Sequence, residues 1–476
     1  MRILFYNWIQ FDKKNNSGGG VNVYQKNTID YLIKNTDHEI FFLSSGIYYD
    51  VVSKKIRITE TKNEYGERCK TFKLINSRCM APVKAMYEDI DTYLKDMDVY
   101  RVFASFIAKN NIDVVHFNNL EGLPLNCLKI KRDFPDIKVV YSLHNYFMFC
   151  PQVNLFYNGE ENCKDFCNGK ACTKCLGGSI GRSQFSTYYR IDTSLEKLHM
   201  EKQSENIKLF FKNAYQKLKG KKQDVQEEET VGEAADFFKF RRHNVGTLNK
   251  YVDVILAVSD RVRDIAVSFG VQPEKVKTCY IGTKVAEESL GRYHGRADEN
   301  CFTIAFMGYF EKVKGLEVLL DALEEAPEEL CKKLKFKCYA RRKVESDDVQ
   351  IQRIKKLGDK LYSAEHYDGY NHDELPDIMK SIDLGIVPVI WEDNLPQVAI
   401  EFAAYGVPVL TSNLGGAQEL SRCEDFRFEA GNTKDLIAKL EKIVNDSSLP
   451  DKYFAEAMKL VTVKEHIDAL LDYYSK

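Results

Sequence analysis

Short runs of Val, Ile, Leu and Phe recur along this 476-residue chain, and longer stretches with apolar residues at helical spacing lie between them. The runs at 2–8, 40–43, 114–117 and 139–144 have the continuous apolar character of strands covered on both faces, which belongs to parallel sheets. Strand-like runs return at 251–259, 302–308, 334–339, 384–390 and 407–410. Alternation of this kind predicts an α/β protein with doubly wound sheets. A polar break at 287–300 separates a first domain, 1–285, from a second, 300–458, and leaves a last amphipathic segment at 459–476. Inside the first domain, 177–250 reads as a polar, helical insertion, in which 220–232 is a charge run with too little apolar content to pack.

The stretch 381–420, SIDLGIVPVIWEDNLPQVAIEFAAYGVPVLTSNLGGAQEL, says most about function. Two buried runs flank a polar loop and one helix, so the unit reads as βαβ. Asn394 is expected as the N-cap, Pro396 in the first turn and Gly406 as the residue that ends the helix. The loop and the helix start then lie at the carboxyl edge of the sheet, where such sheets bind ligands and free N–H groups favour an anion. Glu401 interrupts an otherwise apolar helix, either on a solvated stripe or against a ligand. Gly415-Gly416 is expected to open a second helix, so that two helix N-termini hold one diphosphate. Near the N-terminus, Ser17-Gly18-Gly19-Gly20 precedes a helical pattern at 21–34. It is either a flexible turn or a loop that phosphate or sugar approaches closely.

These motifs resemble those of the family 4 retaining glycosyltransferases, which have the GT-B fold. The resemblance spans nearly the whole chain. It rests on Asp393 and Glu401 with seven residues between them, Gly-Val-Pro-Val at 406–409, Gly-Gly-x-x-Glu at 415–419, and Gly308 followed by Lys314-Gly315. Ser-Leu-His144-Asn-Tyr, ahead of Cys150-Pro151, is similar to a further motif of the family. The fold implied is α/β, GT-B: two Rossmann-like domains facing a cleft, with a C-terminal helix crossing back to the first domain. The activity implied is transfer of a sugar, with retention, from a UDP- or GDP-sugar to a glycan or lipid-linked acceptor held by the first domain, in cell-surface polysaccharide synthesis. Carried over residue by residue, the resemblance puts His144 beside the reacting carbon, Asp393 on the sugar and Glu401 on the donor ribose. It places Gly19, Gly20, Gly308, Lys314, Asn394, Leu395, Pro396, Gly415 and Gly416 on the donor, and Tyr370 in the wall against the base. Two positions depart from the family: Asp393 stands where it usually has Glu, and Tyr309 where it has Arg. Arg341 or Arg342, after the run at 334–339, is expected either to reach the diphosphate instead or to form an ordinary surface pair. No cofactor is implied for the transfer itself.

Composition narrows the partners. Lys plus Arg number 68 against 70 for Asp plus Glu, so no overall field argues for nucleic acid. The start reads as a strand rather than a signal peptide, and no run reaches membrane-spanning length. Thirteen cysteines, mostly scattered, suit a reducing cytoplasm, at the inner face of the membrane if the acceptor is lipid-linked. Five of them crowd into 150–175. Cys163 and Cys167 form a C-x3-C and Cys172 and Cys175 a C-x-x-C, a set that fits a structural zinc, free thiols or one disulfide. Lys208, Phe210, Phe211, Lys212, Tyr215, Lys217 and Lys219, then Phe237, Phe238, Lys239, Phe240, Arg241 and Arg242, read either as a core stripe with solvated charges or as a peripheral contact with anionic membrane. His116 and His144 both sit near strand ends, where each reads either as a residue that looks into the cleft or, more often for a lone His, as a structural hydrogen-bonding residue. Two rival functions stand beside the leading one: a non-catalytic sugar-nucleotide binder, and a metal-dependent transferase using Asp89 and Asp91.

Overall fold

The computed structural model describes residues 1–10, 19–81, 89–176, 182–197 and 233–476. It divides into two compact units: Met1–Ala257 with Arg263–Lys277 and Leu470–Lys476, and Val258–Val262 with Thr278–Ala469.

The first unit is built on β1 (Arg2–Tyr6), β2 (Glu39–Ser44), β3 (Arg57–Thr61), β4 (Cys69–Ile75), β5 (Val114–Phe117), β6 (Lys138–Leu143), β9 (Val254–Ala257) and β10 (Val276–Thr278), with a small ribbon of β7 (Phe156–Tyr157) and β8 (Glu161–Asn162). The eight strands run in the order β10-β9-β6-β5-β1-β2-β4-β3. The pairs from β9 to β4 are parallel, and β3 lies antiparallel on β4. The central strands are buried end to end, as their unbroken apolar runs require. β3 is mostly exposed and its sequence, RITET, carries no such run, which is why the apolar pattern does not reveal it.

The last helix, Val463–Ser475, ends in this unit. There Tyr474 Oη meets His116 Nδ1 at 2.5 Å, and His116 Nε2 meets Ser142 Oγ at 2.7 Å. His116 is thus fully buried and structural.

The second unit holds β11 (Phe302–Gly308), β12 (Leu334–Ala340), β13 (Ser363–Tyr367), β14 (Leu384–Val387), β15 (Val409–Ser412) and β16 (Arg427–Phe428). All its strand pairs are parallel, in the order β13-β12-β11-β14-β15-β16. The chain winds outwards from β11 in one direction and then from β14 in the other. The gap between the ends of β11 and β14 is therefore the topological switch point, where a doubly wound sheet opens to a ligand. Two prolines trim the expected strands. Pro388 follows β14 and Pro408 precedes β15, and neither can donate to a ladder.

Candidate functional site

Two loops meet at the switch point. After β11, a single 3-10 turn, Lys312–Lys314, leads through Gly315 into the helix Leu316–Glu325. That helix buries Leu316, Leu319, Leu320 and Leu323, one face at the i, i+3, i+4 spacing. Gly315 has φ +74°, and a Cβ there would lie 1.7 Å from the Pro388 carbonyl oxygen. Only glycine lets the β11 loop lie so close to the β14 loop.

That approach brings Lys314 Nζ to 2.7 Å from Asp393 Oδ2 and 5.5 Å from the Trp391 ring centroid. Burial by itself would lower the lysine pKa, but the Asp393 carboxylate outweighs it and the net shift is upward. The lysine stays charged. Asp393 is itself buried.

The helix after β14 starts later than its sequence suggests, at Gln397, and ends at Ala404 with Gly406 just beyond. Pro396, not Asn394, is its N-cap, with ψ 127°. Proline also drives the residue before it out of helical space, so the chain cannot turn helical at Leu395. Glu401 lies on the buried side of this helix rather than on a solvated stripe. Tyr370 Oη donates to its Oε2 at 3.1 Å, and His372 Nδ1 lies 3.7 Å from Oε1. Burial pushes the carboxyl pKa up, and His372 and Tyr370 hold back only part of that rise.

Gly415 and Gly416 do not open a second full helix. Only one 3-10 turn, Gly416–Glu419, follows them. Their close approach is to the protein itself: a Cβ on Gly415 would lie 2.2 Å from the Asp393 carbonyl oxygen, and one on Gly416 the same distance from that of Asn394. Their N–H groups are also taken. Gly415 donates to Glu392 at 3.0 Å and Gly416 to the Asp393 carbonyl at 2.9 Å. The pair clamps the Asp393–Asn394 loop instead of offering free donors to an anion.

Residues 301–446 match the family model described as glycosyl transferases group 1. The second unit is a group 1 glycosyltransferase domain.

The fold of the whole chain is GT-B. Among solved structures it is similar to Anabaena Alr3699/HepE in complex with UDP and glucose, with a TM-score of 0.56 at 14% identity and full coverage of both chains. Sucrose-phosphate synthase from Thermosynechococcus elongatus gives 0.55 at 14%, covering 100% of this chain and 97% of that one. A glycosyltransferase from Rickettsia africae gives 0.56 at 12%, over 100% and 97%. A curated relative, an uncharacterized 41.2 kDa protein in the cps region of Klebsiella pneumoniae, is 27% identical over 187 residues. That match covers 36% of this chain and 46% of the relative, so it spans about half of the relative's length.

Two residues that hold the group 1 domain's site in place, Arg261 and Glu392, escaped the motif reading, and Glu419, the last residue of the Gly-Gly-x-x-Glu motif, gains its partners only in the fold. Glu392 accepts from Arg261 Nε at 2.9 Å and from its terminal nitrogen as well as from Gly415. Glu419 accepts from the backbone N–H groups of Asp260 and Arg261 at 2.9 and 2.7 Å, and from Tyr280 Oη at 2.7 Å. The sequence signal was the Glu-Asp pair after β14: two adjacent carboxylates ask for two cations, and Lys314 is only one. Leu395 is buried and Asn394 accepts from Ser259 Oγ at 2.8 Å.

At the end of β12, Arg342 is held by Asp348 through two bonds of 2.6 and 2.8 Å, the ordinary surface pair. Arg341 is exposed and lies over Gly369. Tyr309 is 41% exposed and carries the Lys343 ammonium 3.7 Å above its ring. Tyr370 meets Tyr339 edge-on, and Tyr367 stacks on the same ring at 4.5 Å. A Cβ on Gly308 would meet nothing closer than the Phe306 ring at 3.4 Å.

In the first unit His144 follows β6, with Nε2 3.2 Å from Asn118 Oδ1 and its ring 4.6 Å from that of Tyr24. Gly19 and Gly20 are exposed and begin the helix Gly19–Asn35; Ser17 and Gly18 lie outside the described residues. Asp89 caps the short helix Ile90–Leu94, and the exposed Asp91 pairs with Lys239. Each carboxylate therefore has a local structural partner. Phe237 and Phe240 are buried in the core, whereas Phe238 is exposed; residues 208–219 lie outside the described residues. No described helix is long and apolar enough to cross a membrane.

The cysteine set also differs. Cys150, Cys163, Cys172 and Cys175 line one cavity, whereas Cys167 is exposed and stands apart from it.

Proposed function

We propose that the protein is a retaining glycosyltransferase that moves a sugar from a nucleoside diphosphate sugar to a glycan or lipid-linked acceptor in polysaccharide synthesis. The observation that carries this reading is the convergence of Lys314, Asp393 and the Glu401–Tyr370 pair on the switch point of a group 1 domain. The UDP bound in HepE and the cps-region setting of the Klebsiella relative support the donor class and the pathway.

As the glycosidic bond breaks, negative charge grows on the leaving diphosphate. Lys314, kept protonated by Asp393, is the cation placed to meet it. Asp393 would take a sugar hydroxyl when Lys314 turns to the phosphate. Glu401 would accept from the ribose hydroxyls, a contact equal in ground and transition states, and the aromatic group of Tyr339, Tyr367 and Tyr370 would bear on the base. The first unit would hold the acceptor, with His144 as its candidate polar residue. We place the reaction in the cytoplasm.

The test is a panel of sugar nucleotides assayed for transfer and hydrolysis. Lys314→Ala should lower kcat by roughly 30- to 1000-fold, the value of one charge-assisted contact to growing charge. Glu401→Gln should instead raise the donor KM with kcat little changed. Omitting divalent cations should leave the rate within about twofold. Full activity in Lys314→Ala, together with dependence on an added divalent cation, would remove this assignment.

A further inference from the structure

The loop from Cys150 to Cys175 is organised around sulfur. Cys150, Cys163, Cys172 and Cys175, with the Arg241 guanidinium, line a cavity of about 20 Å³, room for a single water or ion. The backbone N–H of Asn158 donates to Cys175 Sγ at 3.2 Å. In this segment the chain takes left-handed φ at Val153 (65°), Leu155 (55°) and Asn158 (52°). A β-branched Val adopts that conformation only where its surroundings impose it.

Arg241 supplies the second half of the argument. It is buried, donates from Nε to the Phe149 carbonyl at 2.7 Å, and lies 3.7 Å from the Phe166 ring centroid and 4.8 Å from that of Phe269. Among the described residues it forms no ion pair with a carboxylate. A buried cation without an anion is costly. Four thiolates on a divalent ion carry a net charge of about −2 and would supply that anion.

We propose that Cys150, Cys163, Cys172 and Cys175 bind one zinc ion, with Arg241 as its counter-cation and Cys167 outside the site. Among the described residues no three potential ligands already stand around a common point, so the sulfurs must turn inwards as the ion enters. Binding releases the four thiol protons to solvent, and no electron is transferred. The cavity is too small for an iron–sulfur cluster, and its four-sulfur wall suits a tetrahedral ion.

The experiment is elemental analysis of the full chain, purified under reducing conditions with neither chelator nor metal-affinity resin, and again after incubation with zinc. About one zinc per chain is expected, released by a mercurial in step with four thiol equivalents. Cobalt exchange should give the spectrum of a tetrahedral thiolate site. Cys167→Ser should keep the ion and Cys150→Ser should lose it. Folded protein that takes up no zinc, or two disulfides found by mass spectrometry under the same conditions, would overturn the proposal. So would loss of zinc from Cys167→Ser with retention in Cys150→Ser. If Cys150→Ser does not fold, the mercurial titration and the cobalt spectrum of the unaltered chain decide the matter alone.

Discussion

Glu401 is a carboxyl group kept where folding alone would not put it. It is buried, and burial raises its pKa above the ordinary glutamate range despite Tyr370 and His372. A raised carboxyl pKa means that the fold prefers the protonated form. Its contribution to stability is complete below the unfolded-state pKa and is lost as pH rises through the folded one. At neutral pH the ionised side chain therefore costs stability, while Gln would keep the bond from Tyr370 without the charge. Thermal unfolding of Glu401→Gln without donor should show a midpoint above that of the unaltered protein at pH 7, by a few degrees, with the gap closing towards pH 4. A lower midpoint at neutral pH would mean that the carboxylate is stabilised by the fold rather than reserved for a ligand.

At the scale of elements, two glycines of similar appearance in the sequence have different duties. Gly315 is fixed by sterics, since left-handed φ and the Pro388 carbonyl both exclude a side chain. Gly315→Ala should cost about 2–4 kcal/mol, the sum of left-handed strain and a backbone shift. Gly308 faces no such obstacle from the protein. Gly308→Ala should stay within about 1 kcal/mol of the parent in denaturant unfolding and yet weaken nucleotide-sugar binding in titration calorimetry, if the donor passes over the end of β11. Equal losses of stability in the two variants would show that both glycines serve packing only.

Across the whole molecule, the last helix begins in the group 1 unit and ends in the first. Near its start His466 is buried, with Nδ1 2.8 Å from the Tyr280 carbonyl. Burial lowers its pKa to about 4, and the bond to Tyr280 opposes that shift only in part. The folded pKa lies below the ordinary value of 6.5, so this contribution is whole above pH 6.5 and is lost as pH falls towards 4. The loss should amount to about 3 kcal/mol, following 1.36 kcal/mol per pKa unit. His466→Gln should flatten the stability–pH profile over that window, as read by urea unfolding at several pH values. An unchanged slope would assign acid sensitivity elsewhere.

The apolar runs alone determined the α/β class and the central strands of both sheets, because a strand covered on both faces must be apolar throughout. Composition marked the polar break between the domains, residue type and position drew attention to Asp393 and Glu401, and the resemblance to a known family added Lys314. Tertiary structure decided what those patterns leave open. It cut the strands at Pro388 and Pro408, added the polar edge strand β3, and moved the helix start from Asn394 to Pro396. It also turned Gly415 and Gly416 from anion donors into a clamp on the Asp393 loop, brought in Arg261 and Glu392, and gave Glu419 its partners. The physical reason is the same in each case. Periodicity reports which side of an element is covered, whereas the partner of a buried N–H or carboxylate comes from a distant part of the chain and is set only when the sheet closes around it.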